Sequence, residues 1–189
     1  PQRWNRKSVV EAAARLADAE GYDALSLALL ANQLGIKPPS LYKHIGGLDD
    51  LKTAIQAYAT QELMKKLVDA AIGRAGDDAI MTVANAYRDF VKRHPGLQVA
   101  MSRPSATAHQ GKVDPELEAA NQQLMTIAIR LLEGKRLDKK GAIHALRTLR
   151  SLIHGFVVLE TTGAFEIGVS LDQSYRFAIE NFIRGLAKA

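Results

Sequence analysis

What most constrains this chain is where its helical pattern is interrupted. Gly21, Gly35 and Gly46-Gly47 cut the first 47 residues into three short pieces, and Pro38-Pro39 opens the third. Glycine at a helix end takes up the left-handed backbone that stops a helix at little steric cost. Proline suits a first turn, whose N–H groups have no intrahelical partner. Val9, Ala13, Leu16 and Ala17 therefore define the apolar stripe of a first helix that ends at Glu20-Gly21. Ser26 is the expected N-cap of a second helix running to Leu34. A third, opened by Pro38-Pro39, is expected to reach about Ile45. Three helices this short bury little by themselves and need a larger body to pack on.

That body is also helical. One long helix is expected from about Leu48 to Ile72, with no flexible linker before it. Asp77 reads as the cap of the next, which ends near His94-Pro95. A short piece covers Pro95 to Met101, and residues 102–113 (SRPSATAHQGKV) read as a polar loop. Asp114-Pro115 starts a helix ending at Gly134, and Asp138 starts another ending near Gly163. Ser170 and Gln173 make a capping box for the last helix, whose apolar face is Leu171, Tyr175, Ala178, Ile179, Phe182, Ile183 and Leu186. The reading is all-α, with residues 1–47 as one domain and 48–189 as a second.

Composition narrows the function classes. A chain of 189 residues can bury a sizeable core, and 47% hydrophobic with 24% charged residues argues against disorder. The absence of Cys rules out disulfides and thiolate catalysis. No stretch approaches 18 consecutive apolar residues, so no membrane-spanning helix is expected. No signal peptide is visible, and a cytoplasmic protein is expected. The chain opens on Pro1 rather than Met, which leaves the completeness of its N-terminus open. The five His (44, 94, 109, 144, 154) show no metal spacing. No phosphate-binding Gly loop and no nucleophile elbow occurs. No catalytic residue, metal or cofactor is therefore expected.

The segment Ser26 to Ile45, SLALLANQLGIKPPSLYKHI, carries the functional signal. Helix, tight turn at Gly35-Ile36-Lys37 and second helix make a helix-turn-helix arrangement. Ala31 is small where two helices approach, and Leu30, Leu34, Ile36, Leu41 and Ile45 supply a core. Lys37, Ser40, Lys43 and His44 share the opposite face by spacings of three and four, with donors and no carboxylate. A helix entering the major groove of DNA needs such a face. The net charge of +5 agrees with a nucleic-acid partner, although the first 52 residues are near-neutral. A plain three-helix subdomain with a solvated Lys face, acting as a helical interaction module, remains the alternative on these residues alone.

The first fifty residues resemble the DNA-binding domain of the tetracycline-repressor (TetR) family. The resemblance lies in Glu20-Gly21, Leu25-Ser26, Leu30-Ala31, Leu34-Gly35-Ile36, Ser40-Leu41-Tyr42-Lys43-His44-Ile45 and Asp50-Leu51. It implies a ligand-responsive transcription regulator, most often a repressor, that binds a double-stranded operator as a homodimer. It further implies that Ser26 meets a phosphate at its helix N-terminus. Pro39, Ser40 and Lys43 would face bases or the groove, Lys37 and Pro38 the groove edge, and Tyr42 and His44 the phosphate backbone. Arg3, Arg6 and Lys7 would form an arm over the adjacent groove, with a solvated tail as the alternative. The family often places Lys where Leu48 stands, so Lys52 is the expected substitute for that phosphate contact. Lys37-Pro38-Pro39 also departs from the family pattern and removes two backbone donors.

By the same resemblance, the C-terminal domain is expected to be an antiparallel helical bundle that binds a small hydrophobic effector and dimerises. Candidate pocket residues are Phe90, Met101, Met125, Ile129, His154 and Phe156, since Met and aromatic side chains suit adaptable pockets. Ile153-His154-Gly155 resembles the Trp-His-Gly triplet of one branch of the family, with Ile in place of Trp. Leu146, Leu149, Ile153 and Phe156 form one stripe of their helix, and Leu152, Val158 and Leu159 another. A helix apolar on two sides needs cover on both. The expected dimer interface is therefore Leu149, Ile153, Phe156, Tyr175, Ile179, Phe182 and Ile183, paired as a four-helix contact, with a fully intramolecular core as the alternative.

Overall fold

In the first helix, Asn5 and Ser8 close a reciprocal capping box. The Asn5 side chain accepts the Ser8 N–H at 2.9 Å, and the Ser8 hydroxyl accepts the Asn5 N–H at 3.0 Å. The computed structural model describes residues 4–111 and 113–187. Its α-helices are α1 (Arg6–Glu20), α2 (Leu27–Leu34), α3 (Pro38–Leu41), α4 (Leu48–Ala71), α5 (Gly76–Arg93), α6 (Pro95–Ser102), α7 (Pro115–Leu131), α8 (Lys139–Thr161) and α9 (Leu171–Leu186), with no strand among the described residues. Asp114, Asp138 and Ser170 cap α7, α8 and α9 through the N–H groups of Leu117, Gly141 and Gln173. The all-α expectation holds.

Several boundaries differ from the sequence reading. α3 stops at Leu41, so Tyr42, Lys43 and His44 lie in the turn beyond it, held by the His44 and Ile45 N–H groups on the Leu41 carbonyl at 2.8 and 3.0 Å. α5 begins at Gly76, which puts Asp77 in its first turn rather than at its cap, where Lys135 pairs with it. α7 ends at Leu131 because Leu132 and Glu133 donate to carbonyls three residues back, which tightens the chain out of the α-helix.

The chain divides into two compact units, Pro1–Glu62 with His94–Gln123, and Leu63–Arg93 with Leu124–Ala189. In the first, Val9, Ala13, Leu16 and Ala17 of α1, Leu30 and Ala31 of α2, Leu41, Ile45, and Leu51 and Ile55 of α4 are all buried. α1 also packs on α6, and one carboxylate joins them. Asp18 accepts the N–H groups of Gly96 and Leu97 at 2.9 and 3.1 Å and meets Nδ1 of His94 at 2.7 Å. The contact is close enough that a Cβ on Gly96 would fall 2.2 Å from the Ala17 carbonyl oxygen. Glycine is required there by proximity, not by backbone conformation.

The second unit is cored by Ile80, Ala84 and Val91 of α5, Ala142, Ala145, Leu149, Ile153 and Val157 of α8, and Tyr175, Ile179, Ile183 and Leu186 of α9. Phe156 and Phe182 pack against this cluster. The residues expected at a subunit interface (Leu149, Ile153, Phe156, Tyr175, Ile179, Phe182 and Ile183) are thus core or core-lining residues of a single chain. The reason is that α5 already covers the stripe that α8 and α9 share. Of the second stripe of α8, Leu152 packs against this cluster, whereas Val158 and Leu159 are exposed. By length and composition α8 could cross a membrane, yet its inner stripe is packed in this core.

One ionic cluster crosses the second unit. Arg88, on α5, is 8% exposed and donates two hydrogen bonds to Glu160 at 2.7 and 2.8 Å and one to Asp172 at 2.7 Å. Its guanidinium lies over the Tyr175 ring, 4.6 Å from the centroid, and Lys92 adds a further bond to Glu160 at 2.8 Å. The bonds from Arg88 hold the Glu160 carboxyl below its ordinary value of 4.5 against the opposing effect of burial. The carboxylate thus contributes stability that is complete above that value and is lost as pH falls through the lowered one. Glu160→Gln leaves the buried guanidinium with only the exposed Asp172 as counter-charge and is expected to destabilise the chain by about 3 kcal/mol. Denaturation midpoints should show that deficit at pH 7 and a smaller one at pH 4.

Candidate nucleic-acid interface

The segment from Ser26 to Ile45 is built by turn chemistry and a few buried anchors. Ser26 is extended, and its hydroxyl oxygen accepts the Leu29 N–H at 3.1 Å. Gly35 is left-handed (φ 65°), and the Ile36 N–H returns to the Ala31 carbonyl at 3.0 Å, so α2 stops within one residue. Lys37 is extended at the start of α3, as the following proline demands. Leu41 is fully buried and pins α3 from within.

Those anchors turn one short surface outward. Lys37, Pro38, Pro39, Tyr42 and Lys43 are exposed, and Ser40 and His44 are partly so. Tyr42 is 61% exposed. The structure therefore brings seven of the nine expected DNA contacts together, from Lys37 to His44. Ser26 sits at the N-terminus of α2 with its oxygen engaged as a cap and its O–H available to donate. Lys52 is placed differently: its ammonium lies over the Tyr22 ring, 5.3 Å from the centroid, and it is half-buried.

Of the expected basic arm, one residue is engaged within the chain. Arg6 is tied to Asp50, and Lys7 stands 4.0 Å from Glu11; Arg3 lies outside the described residues. The first unit carries nine Lys/Arg against ten Asp/Glu, so its attraction for a polyanion rests on local positions such as the exposed Lys37 and Lys43 rather than on net charge. An open cleft of about 520 Å³, lined by Gly46 to Asp50, Thr107, Gln110 and Val113 to Pro115, presents Asp49, Asp50 and Asp114, which would repel phosphate.

The candidate effector residues are dispersed. Met101 belongs to the first unit and the other five to the second. Phe90 is buried in α5, Met125 is 47% exposed, and Ile129 is half-buried on α7. Phe156 packs on Phe165 and Tyr175, with centroids 4.9 and 5.2 Å away. His154 is half-buried on α8, where burial, aided by Arg150, pushes its imidazole below the ordinary value.

Comparison with known proteins agrees with this geometry. Residues 9–54 match the family model of bacterial regulatory proteins of the tetR family, and residues 80–182 that of the tetracyclin repressor-like C-terminal domain. The C-terminal match does not assign the Trp-His-Gly branch. The uncharacterized HTH-type transcriptional regulator YobS of Bacillus subtilis (strain 168) is 37% identical over 182 residues, 96% of this chain and 92% of the relative. The uncharacterized HTH-type transcriptional regulator Rv0681 of Mycobacterium tuberculosis is 38% identical over 166 residues, 88% of this chain and 74% of the relative. Among solved structures, a protein of unknown function from Rhodococcus sp. RHA1 has a TM-score of 0.80 at 21% identity, covering 98% of this chain and 97% of that one. A TetR variant from Acinetobacter baumannii AYE in complex with minocycline has a TM-score of 0.70 at 21% identity, covering 98% of each chain. At that identity, the structures share the fold.

Ser26 caps α2, and its expected contact with phosphate is separable from that role. Ser26→Ala should lower stability by about 1 kcal/mol and Ser26→Gly by only a few tenths. If the hydroxyl also meets phosphate, both variants should weaken duplex binding equally, as read by denaturation and duplex titration side by side.

Proposed function

The chain belongs to the TetR family of bacterial regulators, and from that premise we propose that it is a cytoplasmic, ligand-responsive transcription repressor that binds its operator as a homodimer. Residues 1–47 are the reading domain and residues 48–189 the effector-binding and dimerisation domain. The observation that carries the proposal is the outward surface from Lys37 to His44, held on the buried Leu41 and the Gly35 turn and free of carboxylates. Each subunit places α3 and the turn after it in one major groove, with half-sites about one helical turn or a multiple apart.

The apolar residues left in solvent on α8 and α9 support the dimer. Val158, Leu159 and Phe177 are 36%, 45% and 66% exposed. A contact through them would extend the core of each second unit across a two-fold axis without disturbing the stripe already packed inside. The minocycline complex of a protein with this fold supports a small-molecule effector. Such a ligand releases DNA only if it binds the operator-competent and the incompetent states unequally.

Selection of bound duplexes from a random library at two salt concentrations tests the reading. An inverted repeat should emerge, with binding that falls as salt rises. Failure to enrich any duplex at low salt with folded protein would leave a helical interaction module instead. On the recovered operator, Lys43→Ala should relax preference at one position, whereas Tyr42→Phe should weaken all duplexes about equally. Phe177→Asp should shift sedimentation from dimer to monomer and abolish binding to the paired half-sites.

A further inference from the structure

The contact residues Tyr42, Lys43 and His44 lie beyond the end of α3, in a turn that runs into Gly46-Gly47. A single helical turn followed by two glycines has little intrinsic rigidity. Leu41 and Ile45 anchor the turn from inside, both buried. On its other side stands an acid–base pair. Arg6 Nη1 and Nη2 each donate to one oxygen of Asp50 at 2.8 Å, a two-pronged geometry, and Nη1 also reaches the His44 carbonyl at 3.3 Å. The same carboxylate accepts the Gly46 N–H at 2.7 Å. Two hydrogen bonds thus end on the residues that bracket Ile45, one from each member of a pair that two more bonds hold together.

We infer that Arg6 and Asp50 are a positioning pair for DNA reading: Arg6 orients Asp50, and together they hold the His44–Gly46 turn so that Tyr42, Lys43 and His44 present one fixed surface to the groove. The inference rests on the regulator reading above and gives Arg6 a different task from an arm on DNA. The side chains are 39% and 30% exposed, so the pair adds little to global stability. Its hydrogen bonds end on the backbone of the reading turn, which is where its effect falls. Asp114 and Glu116 also stabilise the Arg6 cation where it stands.

The test compares wild type, Arg6→Gln, Asp50→Asn and the double variant by titration with the selected operator and with an unrelated duplex, at several salt concentrations. Amide exchange at Gly46 is measured on the same samples. Positioning predicts that each single variant loses about tenfold in operator affinity, the size of one base contact. The unrelated duplex should bind as before, so the specificity ratio falls, and the salt slope should not change. The double variant should lose no more than either single one, because the two residues act as one device. Gly46 exchange should quicken in Arg6→Gln as well as in Asp50→Asn, and Arg6→Lys should recover part of the ratio. A merely structural loss would reduce both duplexes alike. If Arg6 instead paired a phosphate, Arg6→Gln would weaken both duplexes and lower the slope by about one. In that case Asp50→Asn would tighten both, and either result overturns the inference. Variants that match a binding wild type overturn the pair alone, whereas a wild type that binds no duplex overturns the regulator reading and the pair's role with it.

Discussion

Helices of four and eight residues cannot hold themselves in water, and the exposed surface from Lys37 to His44 depends on that limit. α2 and α3 exist because Leu30, Ala31, Leu41 and Ile45 are buried with the inner faces of α1 and the start of α4. Every outward residue from Lys37 to His44 is therefore placed by inward neighbours. The Gly35 turn sets the direction of α3, and Leu41 sets its depth. What the inner anchors leave loose, beyond Leu41, is met by hydrogen bonds from Arg6 and Asp50 to the backbone.

The two units solve their polar problems differently. In the first, a single carboxylate, Asp18, satisfies the orphan N–H groups at the start of α6, and a glycine permits the backbone approach that this needs. In the second, Arg88 is nearly buried and is matched by Glu160, Asp172 and two aromatic faces. Such a cluster contributes more to choosing one packing of α5, α8 and α9 than to raw stability, since its desolvation offsets much of its attraction. Tyr175 adds to the same choice by donating to the Ala84 carbonyl at 2.6 Å from within the core. The apolar stripes of the second unit are general; these polar contacts are specific.

Much was legible in the residues. Gly21, Ser26, Gly35, Pro38, Asp114 and Asp138 act through local backbone chemistry, and the helix ends they mark are where that chemistry puts them. The motif from Ser40 to Ile45 likewise pointed to its surface, because exposure there follows from two buried neighbours one turn apart. Less legible were the end of α3 and the partners of Arg6 and Lys52. A lysine or arginine in a sequence shows its charge but not whether it meets a carboxylate, a tyrosine ring or solvent. The stripe containing Leu149, Ile153 and Tyr175 was visible as apolar, but periodicity is the same for a face covered by α5 and one covered by a second subunit.

By itself the sequence determined the helical class, the cut points of the reading segment and the residue types on its face, since each depends on neighbours within about four positions along the chain. Only the tertiary structure decided which apolar stripe became core, which glycine answered to proximity and which charges were engaged within the chain. Those outcomes depend on partners tens of residues away, as with Asp18 and Gly96, Arg6 and Asp50, or Arg88 and Glu160. Periodicity along one helix carries no record of what faces it; packing does.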